Sequence, residues 1–187
     1  ALPIWGAAAP PPPPPPPGAG GGPADVSLER PRSRRSTIDE HLLAVAWATA
    51  KRSTCLRAPD GVGTVLSRQG RVLSTGYAGS VRGDAHCVDV GCMLDVRGKC
   101  VRTVHAELNA LLQAAAHGVS VEGAAAYCTM SPCWDCFKAL KSAGVVRVVF
   151  DVSYTDTALQ ERHAAAWGVS WERRGTAVFV PGGGVVG

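Results

Sequence analysis

Apolar side chains begin to recur at the helical period from Thr37, as Ile38, Leu42, Leu43, Val45, Ala46 and Ala50. This predicts a core-packing helix ending near Ser53, with Thr37 or Ser36 as its cap. Two short apolar runs follow, Val62 to Leu66 and Arg71 to Gly76, separated by Ser67-Arg68-Gln69-Gly70, which is the pattern of a β-hairpin. Gly79 to Arg102 is rich in Gly, Cys and charge and reads as loop, and Val104 to Ala116 then resumes the helical period. Ala124 to Met130 is a strand candidate. Ser131-Pro132 is a helix-start signal with Pro at the first helical position, and Cys133 to Ala143 continues as helix. Val145 to Phe150 is almost wholly β-branched and apolar, as a buried strand requires, while Asp156 to Ala166 looks helical and Val169 to Arg173 extended. The order α, β-hairpin, α, β, α, β, α, β predicts an α/β domain of three layers, α-β-α, around a central mixed sheet.

Upstream of this pattern the composition changes. Eleven of the 14 prolines lie in residues 1 to 31, including the unbroken run Pro10 to Pro17, and no cysteine precedes Cys55. Residues 1–36 therefore read as a disordered Pro/Gly/Arg-rich tail, too poor in packable side chains to offset ordering entropy. A ligand for a proline-recognition domain is the sharper alternative for the same segment. Residues 37–176 form the expected folded domain, and residues 177–187 the expected Gly-rich C-terminal tail. Eight successive prolines cannot continue a helix through lipid, and no basic stretch is followed by an apolar one. Neither a membrane span nor a secretory signal is expected, and the cytoplasm is the expected compartment. Of the net charge of +4, half sits in the tail, where Arg30, Arg32, Arg34 and Arg35 face Asp25 and Glu29. The body is nearly balanced, which gives a polyanion no broad footprint but leaves local cations for a single phosphate.

Seven cysteines are an odd number, and in a reducing compartment they point to metal binding or catalysis before disulfides. Their spacing decides. His105-Ala106-Glu107 opens one predicted helix, and Pro132-Cys133-Trp134-Asp135-Cys136 opens another. Cys133 and Cys136 lie one turn apart on one helical face, so both sulfurs can reach one ion, with His105 as third ligand and a fourth position open. That is the ligand count of a catalytic zinc. Glu107 is not needed as a ligand, and a carboxylate beside the open position can take a proton from water, pass it to a ring nitrogen and protonate departing ammonia. H-x-E followed by P-C-x-x-C is the general mark of zinc deaminases. Taken alone, the C-x-x-C pair could be redox-active or structural and the histidine a packed side chain; together, in this order, the fragments point to a hydrolytic deaminase.

Five stretches make the chain resemble the deoxycytidylate (dCMP) deaminases of the cytidine-deaminase-like superfamily: Arg52-Ser53-Thr54-Cys55, Leu73 to Ser80, Val104 to Ala110, Ser131 to Cys136 and Ser142 to Val145. The resemblance runs from about Ser53 to Arg174. It implies a five-stranded central sheet, zinc on His105, Cys133 and Cys136, Glu107 as proton shuttle, and hydrolysis of dCMP to dUMP. It further implies a homohexamer activated by dCTP and inhibited by dTTP, and a nucleoside triphosphate effector would carry Mg2+.

Removing the catalytic pair leaves Cys55, Cys87, Cys92 and Cys100, three of them crowded just before the His105 helix. Four thiolates make a complete structural zinc set, with His86 as an alternative ligand, and such a site would pin a segment of low apolar content. Independent thiols or a disulfide are the competing reading, and Cys128 stands apart as a small core side chain. By the resemblance Tyr154 lies near the nucleotide, and Ser131 lies beside the metal. Each could equally be routine, a packed ring and a helix cap, and Lys138 and Arg82 are ambiguous candidates for a phosphate. One departure stands out. Where the family reads Gly-Tyr-Asn-Gly, this chain has Gly76-Tyr77-Ala78-Gly79, and alanine offers bound nucleotide neither the donor nor the acceptor of asparagine. An altered substrate such as dCTP or a 5-substituted dCMP follows as an alternative to dCMP. Deamination of tRNA or single-stranded DNA, and a non-catalytic zinc module binding partners through the proline tail, are the remaining rivals.

Overall fold

The computed structural model describes residues 35–154, 156–175, 178–180 and 184–186. The expected N-terminal tail lies outside them except for its last two residues. Helix α1 (Ile38–Ala50) opens on a capping box in which the Thr37 hydroxyl accepts from Glu40 N at 3.2 Å and the Glu40 carboxylate accepts from Thr37 N at 2.7 Å. Strands β1 (Gly63–Arg68) and β2 (Arg71–Tyr77) pair antiparallel through a turn tighter than the spacing suggested. Gln69 and Gly70 carry it with φ of 53° and 74°, the conformation of a two-residue hairpin turn.

The segment read as loop holds three short elements: β3 (Gly79–Ser80), α2 (Cys87–Val90) and β4 (Thr103–Val104), with β3 and β4 paired. Then come α3 (Ala106–Ala116), β5 (Ala125–Met130), α4 (Trp134–Ser142), β6 (Arg147–Tyr154), α5 (Ala158–Trp167) and β7 (Ser170–Arg173). Residues 177–187, expected to be only a tail, contain β8 (Val178–Val180) and β9 (Gly184–Val186). Each of these strands is three residues long, too short for a period to be counted in a Gly-rich sequence.

The central strands run in the order β2-β1-β5-β6-β7, with β5, β6 and β7 parallel and β1 antiparallel to both neighbours. This is the expected five-stranded mixed centre. Strand β8 pairs parallel with the last residues of β6, and β9 pairs with β8, so the whole sheet has seven strands. Side chains alternate between two cores. Val65, Tyr127 and Val149 meet Leu42, Leu43 and Ala46 of α1 on one face, while Leu66, Ala126, Val148 and Phe150 meet residues of α3, α4 and α5 on the other. Each fully buried aliphatic or aromatic side chain here contributes about 1.5–3 kcal/mol, which orders the layers before any site is formed.

Two glycines let helices seat against the hairpin. A methyl at Gly63 would lie 2.2 Å from Ala46 O of α1, and one at Gly76 would lie 2.2 Å from Ala106 O and 2.3 Å from Ala110 N of α3. The close approach at Gly76 matters most for function, because it fixes the first turn of the helix that carries His105 and Glu107. Ser74 Oγ, which donates to Ala110 O at 2.9 Å, and Asn109 Nδ2, which donates to Tyr77 O at 2.7 Å, hold the same contact. Among the described residues no helix is long and apolar enough to cross a membrane.

Candidate active site

His105 is the N-cap of α3, and Cys133 is the N-cap of α4. Pro132 therefore precedes the cap instead of occupying the first helical position, and its carbonyl accepts from the buried Gln160 side chain of α5 at 3.2 Å. His105 Nδ1 lies 3.5 Å from Cys133 Sγ and 3.4 Å from Cys136 Sγ. A tetrahedral zinc with ordinary bond lengths to nitrogen and sulfur sets its donors about 3.6 Å apart. Both nitrogen–sulfur distances thus match the spacing such an ion needs, and all three atoms lie within 4.8 Å of one another. The Cys133 thiol is held down to about 4 by the Cys136 thiol and then by the His105 ring, against the desolvation that raises it. The positive ends of two helices act in the same direction. Cys136 and His105 are both pushed up, in each case chiefly by Cys133. One ready thiolate beside a second thiol and a ring nitrogen is a donor set chemically suited to zinc.

Glu107, in the first turn of α3, is 4% exposed, and burial raises its carboxyl above the ordinary carboxylate range. Together with His105 and Cys133 it lines a cavity of about 450 Å³. Ala78, Ser131 and Tyr154, the three candidate substrate contacts, line the same cavity. Ala78 has its backbone committed, its N–H to Val62 O and its carbonyl to Thr54 N and Ser53 Oγ. What it presents is apolar. Ser131 is not the cap of α4; its hydroxyl accepts from Tyr154 N at 2.7 Å, and its own N–H donates to Val152 O at 2.8 Å, which splices the end of β5 to the end of β6.

The phosphate candidates are redistributed. Lys138 pairs with Asp135 at 2.9 Å, and neither it nor Arg82 lines the cavity. Arg57 and Lys99 do, both on exposed positions. The sequence offered a signal only for Arg57, two residues beyond Cys55 in a quoted motif; nothing local marks Lys99.

Three of the four remaining candidate metal ligands converge. Cys87, Cys92 and Cys100 place their sulfurs within 4.8 Å of one another, and Cys87 Sγ is 3.7 Å from Cys100 Sγ. Two thiolates on one tetrahedral zinc stand about 3.8 Å apart, so the Cys87–Cys100 pair has that spacing, and a closed structural site needs a fourth donor besides these three. Burial, reinforced by Cys100, pushes Cys87 up to about 12. Cys100 is brought down to about 7 in spite of its burial, by the backbone N–H of Arg102 and the Cys87 thiol. Cys55 stays outside the group: its sulfur accepts from Thr103 Oγ1 at 3.9 Å, and it lines the cavity. His86 is also outside, with Nδ1 3.2 Å from Thr54 Oγ1. Cys128 is buried in the core, paired in the sheet with Thr64 and Phe150, and Thr64 Oγ1 lies 3.5 Å from its sulfur.

Residues 36–152 match the sequence profile of the cytidine and deoxycytidylate deaminase zinc-binding region. The chain belongs to this deaminase family. Among its relatives, ComE operon protein 2 of Bacillus subtilis is 38% identical over 120 residues, which cover 64% of this chain and 62% of that protein. The chain thus spans less than two thirds of that relative's length. The deoxycytidylate deaminase of Enterobacteria phage T4 is 30% identical over 175 residues, covering 74% of this chain and 86% of the phage protein. A crystal structure of dCMP deaminase from the cyanophage S-TIM5 in complex with dCMP and dUMP superposes with a TM-score of 0.64 at 31% identity, covering 73% of this chain and 96% of that one. The family match includes both sulfur clusters and Glu107 but stops two residues before Tyr154.

Proposed function

We propose that this chain hydrolyses the exocyclic amine of a cytosine deoxynucleotide, dCMP first, giving dUMP and ammonia. The observation that carries this reading is the burial of Glu107 in a cavity it shares with His105 and Cys133, two of three donors spaced for zinc. His105, Cys133 and Cys136 would hold the ion, which when bound supplies Lewis-acid activation of water at neutral pH. Glu107 takes one proton from the attacking water and delivers it to N3 of the ring, then takes the remaining proton of the added C4 hydroxyl and gives it to the exocyclic amine, which leaves as ammonia as the C4 carbonyl forms. Burial raises this carboxyl, which makes its ionised form a stronger base toward the proton of the attacking water.

The apolar side of the cavity, with Ala58, Val62, Ala78 and Met130, suits the base. Arg57 and Lys99 are cations at the exposed part of the lining, where they favour a phosphorylated ligand over a nucleoside. Tyr154, whose N–H donates to Ser131 Oγ, lines the same cavity. The Cys87, Cys92 and Cys100 set holds a second, structural zinc in this reading. The relatives named deoxycytidylate deaminase support the monophosphate, and the apolar Ala78 supports a test of dCTP and 5-substituted substrates. Purified protein is assayed on dCMP, dCTP, 5-methyl-dCMP, deoxycytidine and a cytosine-containing single-stranded oligonucleotide, with zinc content measured in parallel. dCMP is expected to give the highest kcat/KM. Inactivity on every mononucleotide in zinc-loaded protein, or preference for the oligonucleotide, overturns the reading. The homohexamer, the dCTP and dTTP responses and the role of Mg2+ that the resemblance implies are read from the mass of the assembly and from the same assay with each effector.

A further inference from the structure

Between Cys92 and Val101 the chain doubles back on itself. Leu94 and Cys100 form an antiparallel bridge, and Val101 N donates to Met93 O at 2.8 Å. At the tip the Asp95 carboxylate accepts from Arg97 N at 2.9 Å and from Lys99 N at 2.8 Å, and Gly98 takes the φ of 72° that closes the turn. Little apolar packing holds this excursion. Met93, Leu94, Val96 and Val101 are all exposed.

What holds it is polar and sulfur-based. One limb carries Cys92 and the other Cys100, gathered with Cys87 at the start of α2. Arg57 Nη1 reaches across and donates to Gly98 O at 2.8 Å. The residue between that tie and the sulfur cluster is Lys99, which lines the cavity together with Glu107 and His105. Among the described residues that line the cavity, Arg57 and Lys99 are the Lys and Arg side chains and Glu107 is the acid.

We propose that Lys99 is a specificity-determining residue whose ammonium receives the substrate phosphate, and that the Cys87, Cys92 and Cys100 cluster, closed on a metal ion, is the staple that keeps it at the cavity. This rests on the reading of the chain as a nucleotide deaminase and extends it, because it makes the second sulfur site a determinant of phosphate recognition. A lysine on a flexible stem is a point charge with no forked geometry of its own, so its position depends on the backbone that presents it. Closing the hairpin base with a metal removes the ordering cost that substrate binding would otherwise bear.

The test compares binding of dUMP and deoxyuridine by calorimetry for the full zinc-loaded chain and for Lys99→Met, Cys92→Ser and the double variant. Zinc per chain and wild-type turnover of dCMP are measured alongside. Lys99→Met is expected to lower the dUMP-to-deoxyuridine affinity ratio about tenfold, the scale of one lost charge-assisted hydrogen bond. Cys92→Ser should lose one zinc, keep the other, and lower the ratio by a similar factor. The double variant should be no worse than Cys92→Ser alone. An unchanged ratio in Lys99→Met overturns the phosphate role, and additive losses in the double variant overturn the staple. If Cys92→Ser does not fold, stepwise chelation of the wild-type protein replaces it, with the same ratio followed as the first zinc leaves; an unchanged ratio there also overturns the staple. Failure of the wild-type protein to deaminate dCMP is a different outcome, since it removes the underlying reading.

Discussion

His105 and Cys133 each cap a helix whose buried face is locked into the main core by Ala110, Ala114, Phe137 and Leu140. Cys87, Cys92 and Cys100 instead hang on a four-residue helix and a short hairpin flanked by exposed Val88, Val90, Met93 and Leu94. Both clusters stand at distances that suit zinc. The difference lies in what sets those distances. In the first, burial of helix and sheet fixes the donors, so an ion adds chemistry to a frame that is already built. In the second, the protein supplies few apolar contacts, and an ion would supply the cohesion. The two sets differ in the same way in their surroundings. The first has a buried acid beside it in a cavity, while the second touches that cavity through Cys100 and its neighbour Lys99.

The largest expected effect sharpens this contrast at the acid. Glu107→Gln preserves shape and burial but removes the proton carrier. Zinc content at both clusters is expected to stay as in wild type, while kcat falls roughly 10²-fold or more, the usual scale for a lost general acid-base group. Turnover with dCMP at saturating substrate, read beside metal analysis, decides it; activity within a few-fold of wild type removes Glu107 from the mechanism.

Gly76→Ala probes the frame itself. Its new methyl must displace the backbone of α3 at Ala106 and Ala110, since no flexible side-chain end is in the way. Overpacking of this kind costs about 1–3 kcal/mol. The displacement begins one residue from His105, so cobalt absorption from the His105, Cys133 and Cys136 set should change while that of the cysteine trio does not. Equal disturbance of both sets would show that they are not mounted independently.

How much of this could be read beforehand follows from the same physics. The amphipathic period of α1 and α3 and the β-branched run of β6 extend over enough residues to declare themselves. His105, Cys133 and Cys136 were legible because their spacings are local to two helix starts. The elements α2, β3, β4, β8 and β9 are two to four residues long and carry no countable period. Cys55 reads from composition as a fourth candidate ligand, and its place against Thr103 is set by the turn after α1, which no local spacing reveals. Lys99 was invisible for a related reason. Its position at the cavity depends on a bridge between Leu94 and Cys100 and on Arg57, some forty residues earlier in the chain.

The smallest expected effect concerns a charged cluster that includes none of the residues of either sulfur set and so separates cohesion by charge from cohesion by metal. Arg147 of β6 donates to Asp39 at 2.8 and 2.9 Å, to Glu172 at 2.7 Å through two nitrogens, and to the Tyr127 hydroxyl at 3.0 Å, which ties α1 to β5, β6 and β7. Arg147 holds Asp39 down to about 2 from 3.8 and Glu172 down to about 2 from 4.5. Depressed carboxyls stabilise the fold above their unfolded values, and that contribution is lost as pH falls through the folded ones. The window therefore runs from about pH 4.5 down to about 2. With Arg147, Asp39 and Glu172 side chains 27%, 18% and 31% exposed, solvent screening limits Arg147→Met to about 1–2 kcal/mol at pH 7. Any metal held by thiolates would leave both proteins alike in acid, so the difference between them isolates the charges. That difference, measured by urea unfolding, should shrink steadily across the window, whereas a difference independent of pH would assign the contribution of Arg147 to packing of its stem.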